Sequence, residues 1–283
     1  LLPLDKFDFA SSLINSASVV TIGGLYATQF NEWEQSSATI SSRTINIANY
    51  FGASDASGFY SISSNNSVGV SGDLSNLLGF SQNNPDGSAN SYKFKLTTDL
   101  NMATATTPHI PYFGAAEFSG NTFEVLNFSW NAPTSNVGFL GFVHKSTVTD
   151  LVVSTTPYSG QSIANSNLAV SGTYYVGSAI GSIYDGVLYD SSAVLKGTTS
   201  GNDYVGGFVG YVYSTPVGSV QTSRDVTITN TTKARVTGSS SYAVRDGDSI
   251  EVGNFGGIAG RILSSPVKDL SSDLDVYAAG FYT

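Results

Sequence analysis

The sequence contains no cysteine. This absence excludes disulfide cross-links, cysteine-ligated zinc, iron–sulfur clusters and thiol catalysis. Histidine is nearly absent as well, with only His109 and His144 in the chain. Neither histidine stands in a pattern that predicts a Ser-His-Asp arrangement, so we expect a structural or surface role for both.

Charged residues are scarce, and basic residues are the scarcer kind. Lys and Arg number 12 against 21 Asp and Glu, which gives a net charge of −9. Such a surface is a poor partner for nucleic acid or for an anionic membrane. No apolar run approaches the roughly 20 residues that span a bilayer, so we expect no membrane insertion. The chain starts without Met and without a basic leader region, so we expect a mature or excised piece of a larger protein.

The abundant residues are glycine, aromatics and small hydroxyl residues. The 283 residues include 30 Gly, 16 Tyr and 16 Phe, and 41% of the chain is hydrophobic. This composition is not that of a disordered chain. It is typical of strands with hydroxyl-lined outer faces joined by many turns, and the length allows one large β domain or two smaller ones.

A short glycine motif occurs four times. It reads VGFLGFV at 137–143, VGSAIGSI at 176–183, YVGGFVGYV at 204–212 and FGGIAGRI at 255–262. The second glycines of the four copies are 40, 29 and 50 residues apart, at Gly141, Gly181, Gly210 and Gly260. A recurring unit with insertions of variable length predicts a solenoid whose coils stack and whose insertions leave as loops.

Strand periodicity predicts which residues of the motif face inward. Residues two apart point to the same side, so we expect the second glycine to share the interior with the residues two before and two after it. These are Phe139, Ala179, Phe208, Ile258, Val143, Ile183, Val212 and Ile262. The two remaining columns are predicted to face outward: Leu140, Ile180, Val209 and Ala259, then Phe142, Ser182, Tyr211 and Arg261. Four glycines inside strands indicate a close approach of backbone or of a large neighbour.

A second strand is predicted after each copy of the motif. The predicted spans are 147–153, 187–195, 219–228 and 267–276, each with polar residues alternating with apolar ones. Alternation with period two is typical of a half-buried strand.

These residues resemble a known family. The run at 204–212, followed by a turn and a second strand, resembles the GLUG motif of bacterial surface and secreted proteins, and residues 73–78, 94–101 and 118–128 resemble the steps that precede it. The resemblance covers about residues 60–283. It implies a right-handed parallel β-helix and an extracellular, adhesin-type or other cell-surface protein. It brings no catalytic residues with it.

The glycine motif does not extend to the start of the chain. We therefore predict an all-β solenoid with loop insertions over 58–283 and an irregular N-terminal cap, or irregular first coils, over 1–57. A cap is expected because the exposed strand edges at the end of a solenoid invite aggregation. A small separate domain over 1–57 is the alternative.

Tyrosines crowd around the motif strands, and three of them are candidate ligand-binding residues. Tyr184, Tyr211 and Tyr213 follow the motif glycines, and exposed tyrosines stack on sugar rings while their hydroxyls form hydrogen bonds. The alternative is that each tyrosine only covers a coil. The outward column that starts at Leu140 would likewise form an apolar interface stripe, unless the loop at 230–248 folds over it.

One acidic loop is a candidate metal site. Asp246, Asp248 and Glu251 form a D-x-D-x-x-E pattern whose oxygens would suit calcium, although an ordinary solvated turn has the same appearance. No other cofactor is expected. The remaining carboxylates of this region, Asp269, Asp273 and Asp275, indicate a polar outer face and not the converging acids of a hydrolase.

The sequence thus predicts a protein that works through its surface. We expect an adhesin-type solenoid, without enzymatic activity, that binds a cell-surface glycan or a protein partner. One alternative is a structural subunit of a surface filament or stalk, which would associate with itself. Another is a carbohydrate-active β-helix enzyme.

Overall fold

A computed structural model describes residues 48–77, 92–105, 109–114, 116–157, 168–213, 235–239, 254–265, 270, 272 and 274–279. These residues form mostly short strands, and every strand pairing between them is parallel. The helical residues within these ranges are α1 (Ala48–Phe51), a 3-10 turn at Met102–Thr104 and residues 76–77. Within these ranges no helix is both long enough and apolar enough to cross a bilayer.

The strands follow one another in repeated passes. The N-terminal strands are β1 (Phe59–Ile62), β2 (Lys93–Leu96) and β3 (Leu100–Asn101). The next pass contains β4 (Ile110–Gly114), β5 (Glu117–Ser119), β6 (Glu124–Phe128) and β7 (Trp130–Asn131). The following pass contains β8 (Leu140–His144), β9 (Thr147–Thr149), β10 (Val152–Thr155), β11 (Leu168–Ser171) and β12 (Tyr174–Val176).

Later passes repeat this order. One contains β13 (Ile180–Tyr184), β14 (Val187–Tyr189), β15 (Ser192–Val194), β16 (Thr198–Gly201) and β17 (Asp203–Gly206). The described parts of the next contain β18 (Val209–Tyr213), β19 (Arg235–Ser239) and β20 (Phe255–Gly256). The last strands are β21 (Ala259–Leu263) and β22 (Asp275–Ala279).

Successive passes run through five sheets in the same order, and the passes from β8 to β12 and from β13 to β17 contribute one strand to each of them. Sheet 1 is β4-β8-β13-β18-β21, sheet 2 is β1-β2-β5-β9-β14, sheet 3 is β3-β6-β10-β15, sheet 4 is β7-β11-β16-β19-β22 and sheet 5 is β12-β17-β20. The glycine motif begins in sheet 5 and ends in sheet 1. Equivalent residues of successive copies therefore become hydrogen-bonded neighbours in parallel register.

The predicted second strands are shorter than expected. The span 147–153 divides into β9 and β10, and the span 187–195 divides into β14 and β15, with the two parts in different sheets. The divisions fall at Asp150 and Asp190, which have φ of 51° and 49°. Asp tolerates this left-handed conformation, and it turns the chain from one sheet to the next. The span 219–228 and half of the residues of 267–276 lie outside the described residues.

Most of the residues that were predicted to face the interior do face it. Phe139, Ala179, Phe208 and Val143 are fully buried and Ile183 nearly so. Val212 and Ile258 are partly buried and pack against the core. Ile262 departs from the prediction with 36% exposure. It lies in β21, which is the end strand of sheet 1 within the described residues.

The column before the second glycine faces inward, so its predicted outward position is wrong. Leu140, Ile180 and Val209 are at most 2% exposed, and Ala259 packs against the core. Leu140 and Val143 are three residues apart and both buried, so the strand does not alternate regularly across Gly141. A side chain at Gly141 would point at the backbone oxygen of Asn136, 2.6 Å away, and not into the core. The expected apolar stripe is therefore part of the core.

The second glycines are required by a close approach of sheets 1 and 5. A Cβ at Gly181, Gly210 or Gly260 would lie 2.4 Å from a backbone atom at the start of the preceding motif copy, in Asn136, Val176 and Tyr204 respectively. Real Cβ atoms do not come this close to backbone atoms. The glycines therefore confirm the predicted backbone approach.

Phenylalanine rings connect the core from the N-terminal residues to the motif. Ring centroids are 4.9 to 6.2 Å apart along the series Phe51, Phe94, Phe113, Phe118, Phe139 and Phe128. Tyr50 of α1 is buried in the same core. Residues 48–51 thus pack on the core of the parallel sheets, whereas residues 1–47 of the predicted cap lie outside the described ranges.

Candidate functional site

Two columns of side chains stand on the outer side of sheet 1. In-register pairing places one column across β4, β8, β13, β18 and β21: Tyr112, Phe142, Ser182, Tyr211 and Arg261. The second column lies two residues further along each strand: Gly114, His144, Tyr184, Tyr213 and Leu263. Neighbouring strands are about 4.8 Å apart, so side chains in one column stack directly on one another.

The rings of these columns contact one another continuously. Phe142 and His144 are stacked with centroids 5.8 Å apart, and His144 lies 5.4 Å from Tyr184. Tyr184 stacks on Tyr213 at 4.9 Å, and Tyr213 is parallel to Tyr211 at 6.3 Å. The chain of rings therefore crosses β8, β13 and β18 without a break.

Corner residues extend this surface from sheet 5. Asn136, Tyr175 and Tyr204 precede the first glycine of successive motif copies and have φ of 58°, 56° and 53°. Each corner side chain contacts the first-column residue of the next motif copy. The Ser182 hydroxyl pairs with Asn136 Oδ1 at 2.5 Å, and the Tyr175 ring is 5.4 Å from the Tyr211 ring.

The third corner residue, Tyr204, lies next to a positively charged side chain. The Arg261 guanidinium lies 5.9 Å from the centroid of the Tyr204 ring, and that ring is itself 5.0 Å from Tyr175 and 5.4 Å from Tyr211. A left-handed backbone is uncommon for a bulky residue and is strained. At Tyr175 and Tyr204 this conformation places both rings over the outer column of sheet 1.

We call this surface the aromatic face. It consists of Phe142, His144, Tyr175, Tyr184, Tyr204, Tyr211 and Tyr213, all of them half-buried. Because each ring is packed against the next, the rings are held in place before any ligand arrives. The exposed edges and faces form an apolar surface that is bordered by phenolic hydroxyls.

Burial and local charge shift several pKa values at the aromatic face. Burial raises the pKa of Tyr175 and of Tyr211, and the nearby Arg261 partly opposes both shifts. Burial lowers the pKa of His144, Lys145 lowers it further and Asp185 opposes the shift. The Tyr112 hydroxyl lies 3.3 Å from His144 Nδ1. At neutral pH the phenols of Tyr175 and Tyr211 are therefore protonated, and the imidazole of His144 is largely neutral.

All three tyrosines named from the sequence lie in the aromatic face. Tyr184 and Tyr213 are register partners, and Tyr211 is on the same strand as Tyr213. Sequence reasoning missed the roles of His144 and Tyr204. The available signal was the position two residues before the first glycine of each motif copy. This position holds Asn136, Tyr175 and Tyr204 in successive copies.

The predicted calcium loop is not part of this site. Asp246, Asp248 and Glu251 lie outside the described residues, so calcium binding there stays a prediction. Within the ranges that the structure describes, no three His, Asp or Glu side chains are grouped to hold a metal ion.

His109 lies apart from the face and has a packing role. Its ring stacks on Trp130 at 4.6 Å, and burial lowers its pKa to about 4. Its Nδ1 atom and Nε1 of Trp130 are buried without hydrogen-bond partners.

Comparison with known proteins gives no further assignment, since no protein-family model, no curated protein and no solved structure matches the chain.

Proposed function

We propose that the protein is an extracellular adhesin of the GLUG type, a right-handed parallel β-helix, and that its aromatic face binds a cell-surface glycan. The observation that carries this proposal is the unbroken series of rings across β8, β13 and β18, extended by two corner tyrosines. The passage of the chain through five parallel sheets in constant order supports the β-helix.

The chemistry of the aromatic face suits a sugar. The C–H faces of a pyranose ring stack on flat aromatic rings, and tyrosine adds a hydroxyl for hydrogen bonding at the rim. Tyr184, Tyr211 and Tyr213 offer such rings at the spacing of adjacent strands. A ladder of individually weak contacts gains affinity when several sugar units bind at once.

The packing of the rings also favours binding. Tyr211 contacts three other tyrosine rings, Tyr175, Tyr204 and Tyr213, with centroids 5.4 to 6.3 Å apart. Side chains that are ordered beforehand lose little conformational entropy when a ligand binds. Binding at this face would need no conformational change of the rings.

Glycan binding by paired variants tests the proposal. We expect the wild-type protein to bind glycans on an array and the double variant Tyr211→Ala, Tyr213→Ala to lose affinity by about tenfold to a hundredfold, since two stacking contacts are removed. Tyr189→Ala is the matched control, because Tyr189 is a half-buried tyrosine of β14 in sheet 2. It should bind like the wild type.

Sedimentation of the same samples separates the alternatives. Glycan binding by the monomeric wild type supports the adhesin. Assembly that grows with concentration, without glycan binding, would instead favour a filament subunit. Absence of both behaviours in a folded sample contradicts the proposal.

A further inference from the structure

Arg261 gives the aromatic face a positively charged end. It occupies the first outer column directly beside Tyr211, its register partner on the neighbouring strand. Its side chain is exposed, and its guanidinium lies over the Tyr204 ring. The tyrosines Tyr175, Tyr204 and Tyr211 thus surround a cation at the edge of sheet 1.

The charge of Arg261 is not paired with a carboxylate within the described structure. Two lysines on sheet 2 are ion-paired, Lys93 with Glu117 at 3.2 Å and Lys95 with Asp55 at 2.6 Å. Arg261, by contrast, forms no ion pair with any carboxylate in the ranges that the structure describes. Since acidic residues outnumber basic ones by 21 to 12 in this chain, an arginine without a carboxylate is available for a ligand.

A carboxylate next to this corner is occupied by other groups. Asp203 precedes Tyr204, and its Oδ1 accepts hydrogen bonds from the backbone N–H of Tyr204 at 2.8 Å and of Asn254 at 2.5 Å. The same oxygen accepts a third bond from Asn254 Nδ2 at 3.0 Å. Asp203 therefore fastens two neighbouring passes together, and it does not neutralise Arg261.

We propose that the Arg261 end of the aromatic face binds the carboxylate of a uronic acid, so that the glycan recognised is an acidic one. This inference rests on the proposed glycan binding and adds the class of sugar. A guanidinium donates two parallel hydrogen bonds to a carboxylate, and the Arg261 side chain is exposed. The carboxylate of a uronic acid projects from the rim of the sugar ring. A sugar stacked on Tyr211 would therefore point this group toward the next strand, where Arg261 stands.

The test compares a uronic acid oligosaccharide with the same oligosaccharide after its carboxyl groups are reduced to alcohols. Affinity for both is measured by calorimetry at low salt. We expect the wild type to prefer the acidic form by about tenfold or more. Arg261→Gln should bind both forms equally, and Arg261→Lys should keep part of the preference because it retains charge without the bidentate geometry. Lys93→Gln on sheet 2 is the control and should keep the full preference.

The outcomes distinguish this inference from the function on which it rests. Equal binding of both forms by the wild type, lost in Tyr211→Ala, would overturn the acidic preference and leave glycan binding intact. A preference that survives in Arg261→Gln would overturn the role of this residue. Tighter binding of a sulfated oligosaccharide than of the uronic acid would overturn the choice of carboxylate. Binding of no oligosaccharide by the folded wild type would overturn both proposals.

Discussion

Gly210 occupies a point where sheet 1 meets backbone from sheet 5. A Cβ at this position would lie 2.4 Å from the Val176 nitrogen and 2.5 Å from the Gly181 oxygen. Both neighbours are backbone atoms within parallel ladders, so neither can move aside without breaking hydrogen bonds. Glycine is therefore needed at position 210 because a side chain would not fit there. Its conformational freedom is not the reason, since the φ of Gly210 is outside the left-handed region.

We expect Gly210→Ala to lower the free energy of unfolding by at least about 2 kcal/mol, because one methyl group overpacks a rigid contact. Gly58→Ala is the control, because it strains the backbone without crowding any neighbour. Gly58 has φ of 83°, and a Cβ added there would meet no heavy atom within 4 Å. It should cost about 1 kcal/mol. Urea denaturation measures both values. A cost for Gly210→Ala no greater than that for Gly58→Ala would contradict the space argument.

His109 makes the stability of the protein depend on pH. Burial lowers the pKa of the folded histidine from 6.5 to about 4, so the folded chain holds fewer protons than the unfolded chain between these values. Stability is therefore fully present above pH 6.5 and is lost as the pH falls toward 4. The loss amounts to about 3 kcal/mol. The pKa of Asp55, lowered to about 2 mainly by a hydrogen bond from Lys95, affects stability only at lower pH.

We expect His109→Gln to remove most of the pH dependence between pH 6.5 and 4, because glutamine does not titrate. The measurement is the urea midpoint at several pH values for the wild type and the variant. His144→Gln is the comparison, since His144 is also shifted downward but is only half-buried. It should have the smaller effect. A slope in His109→Gln equal to that of the wild type would refute this account.

At the scale of the strand, the sequence predicted the main faces but not the irregularity at the glycine. Alternation placed Val143 and Ile183 inside correctly, because those residues lie beyond the glycine on the regular part of the strand. It placed Leu140 and Ile180 outside, and they are buried. A prediction from alternating residues assumes a regular pleat along the whole strand. The pleat is irregular at a glycine whose backbone lies against a second sheet, so the prediction fails there.

Corners were harder to predict than strands. Asp150 and Asp190 are residues that tolerate a left-handed turn, so the division of the predicted second strands had a recognisable signal. Tyr175 and Tyr204 lacked this residue-type signal, since a bulky residue is a poor choice for the left-handed conformation, and only their place two residues before the first motif glycine marked them. Their rings complete the aromatic face, so the part of the site that depends on corners was the part that sequence reasoning missed.

At the scale of the molecule, the repeat predicted that equivalent residues stack, and the structure shows them paired in parallel register. This is why Tyr184 and Tyr213, aligned by the motif alone, are direct neighbours. The five-sheet cross-section did not follow from the sequence. The arrangement in five sheets depends on corners that lie inside segments such as 147–153, which the periodicity predicts to be single strands.

The whole described core depends on a continuous series of phenylalanine rings. Phe139 is fully buried and lies 6.0 Å from Phe118 of sheet 2 and 6.1 Å from Phe128 of sheet 3. It therefore joins the glycine motif to two other sheets of the preceding pass. In repeat proteins, stability is close to a sum over contacts between neighbouring units, so this position couples two units.

We expect Phe139→Ala to lower the free energy of unfolding by about 3–5 kcal/mol, through lost burial and the cavity that remains. Phe139→Leu keeps most of the volume and should cost less than about 1.5 kcal/mol. Urea unfolding is followed by far-ultraviolet circular dichroism and by tryptophan fluorescence, to which the half-buried Trp130 of β7 contributes. Both signals should shift together if the passes unfold as one unit. A fluorescence transition that separates from the dichroism transition already in the wild type would show that the neighbouring passes unfold independently, and it would contradict a single core.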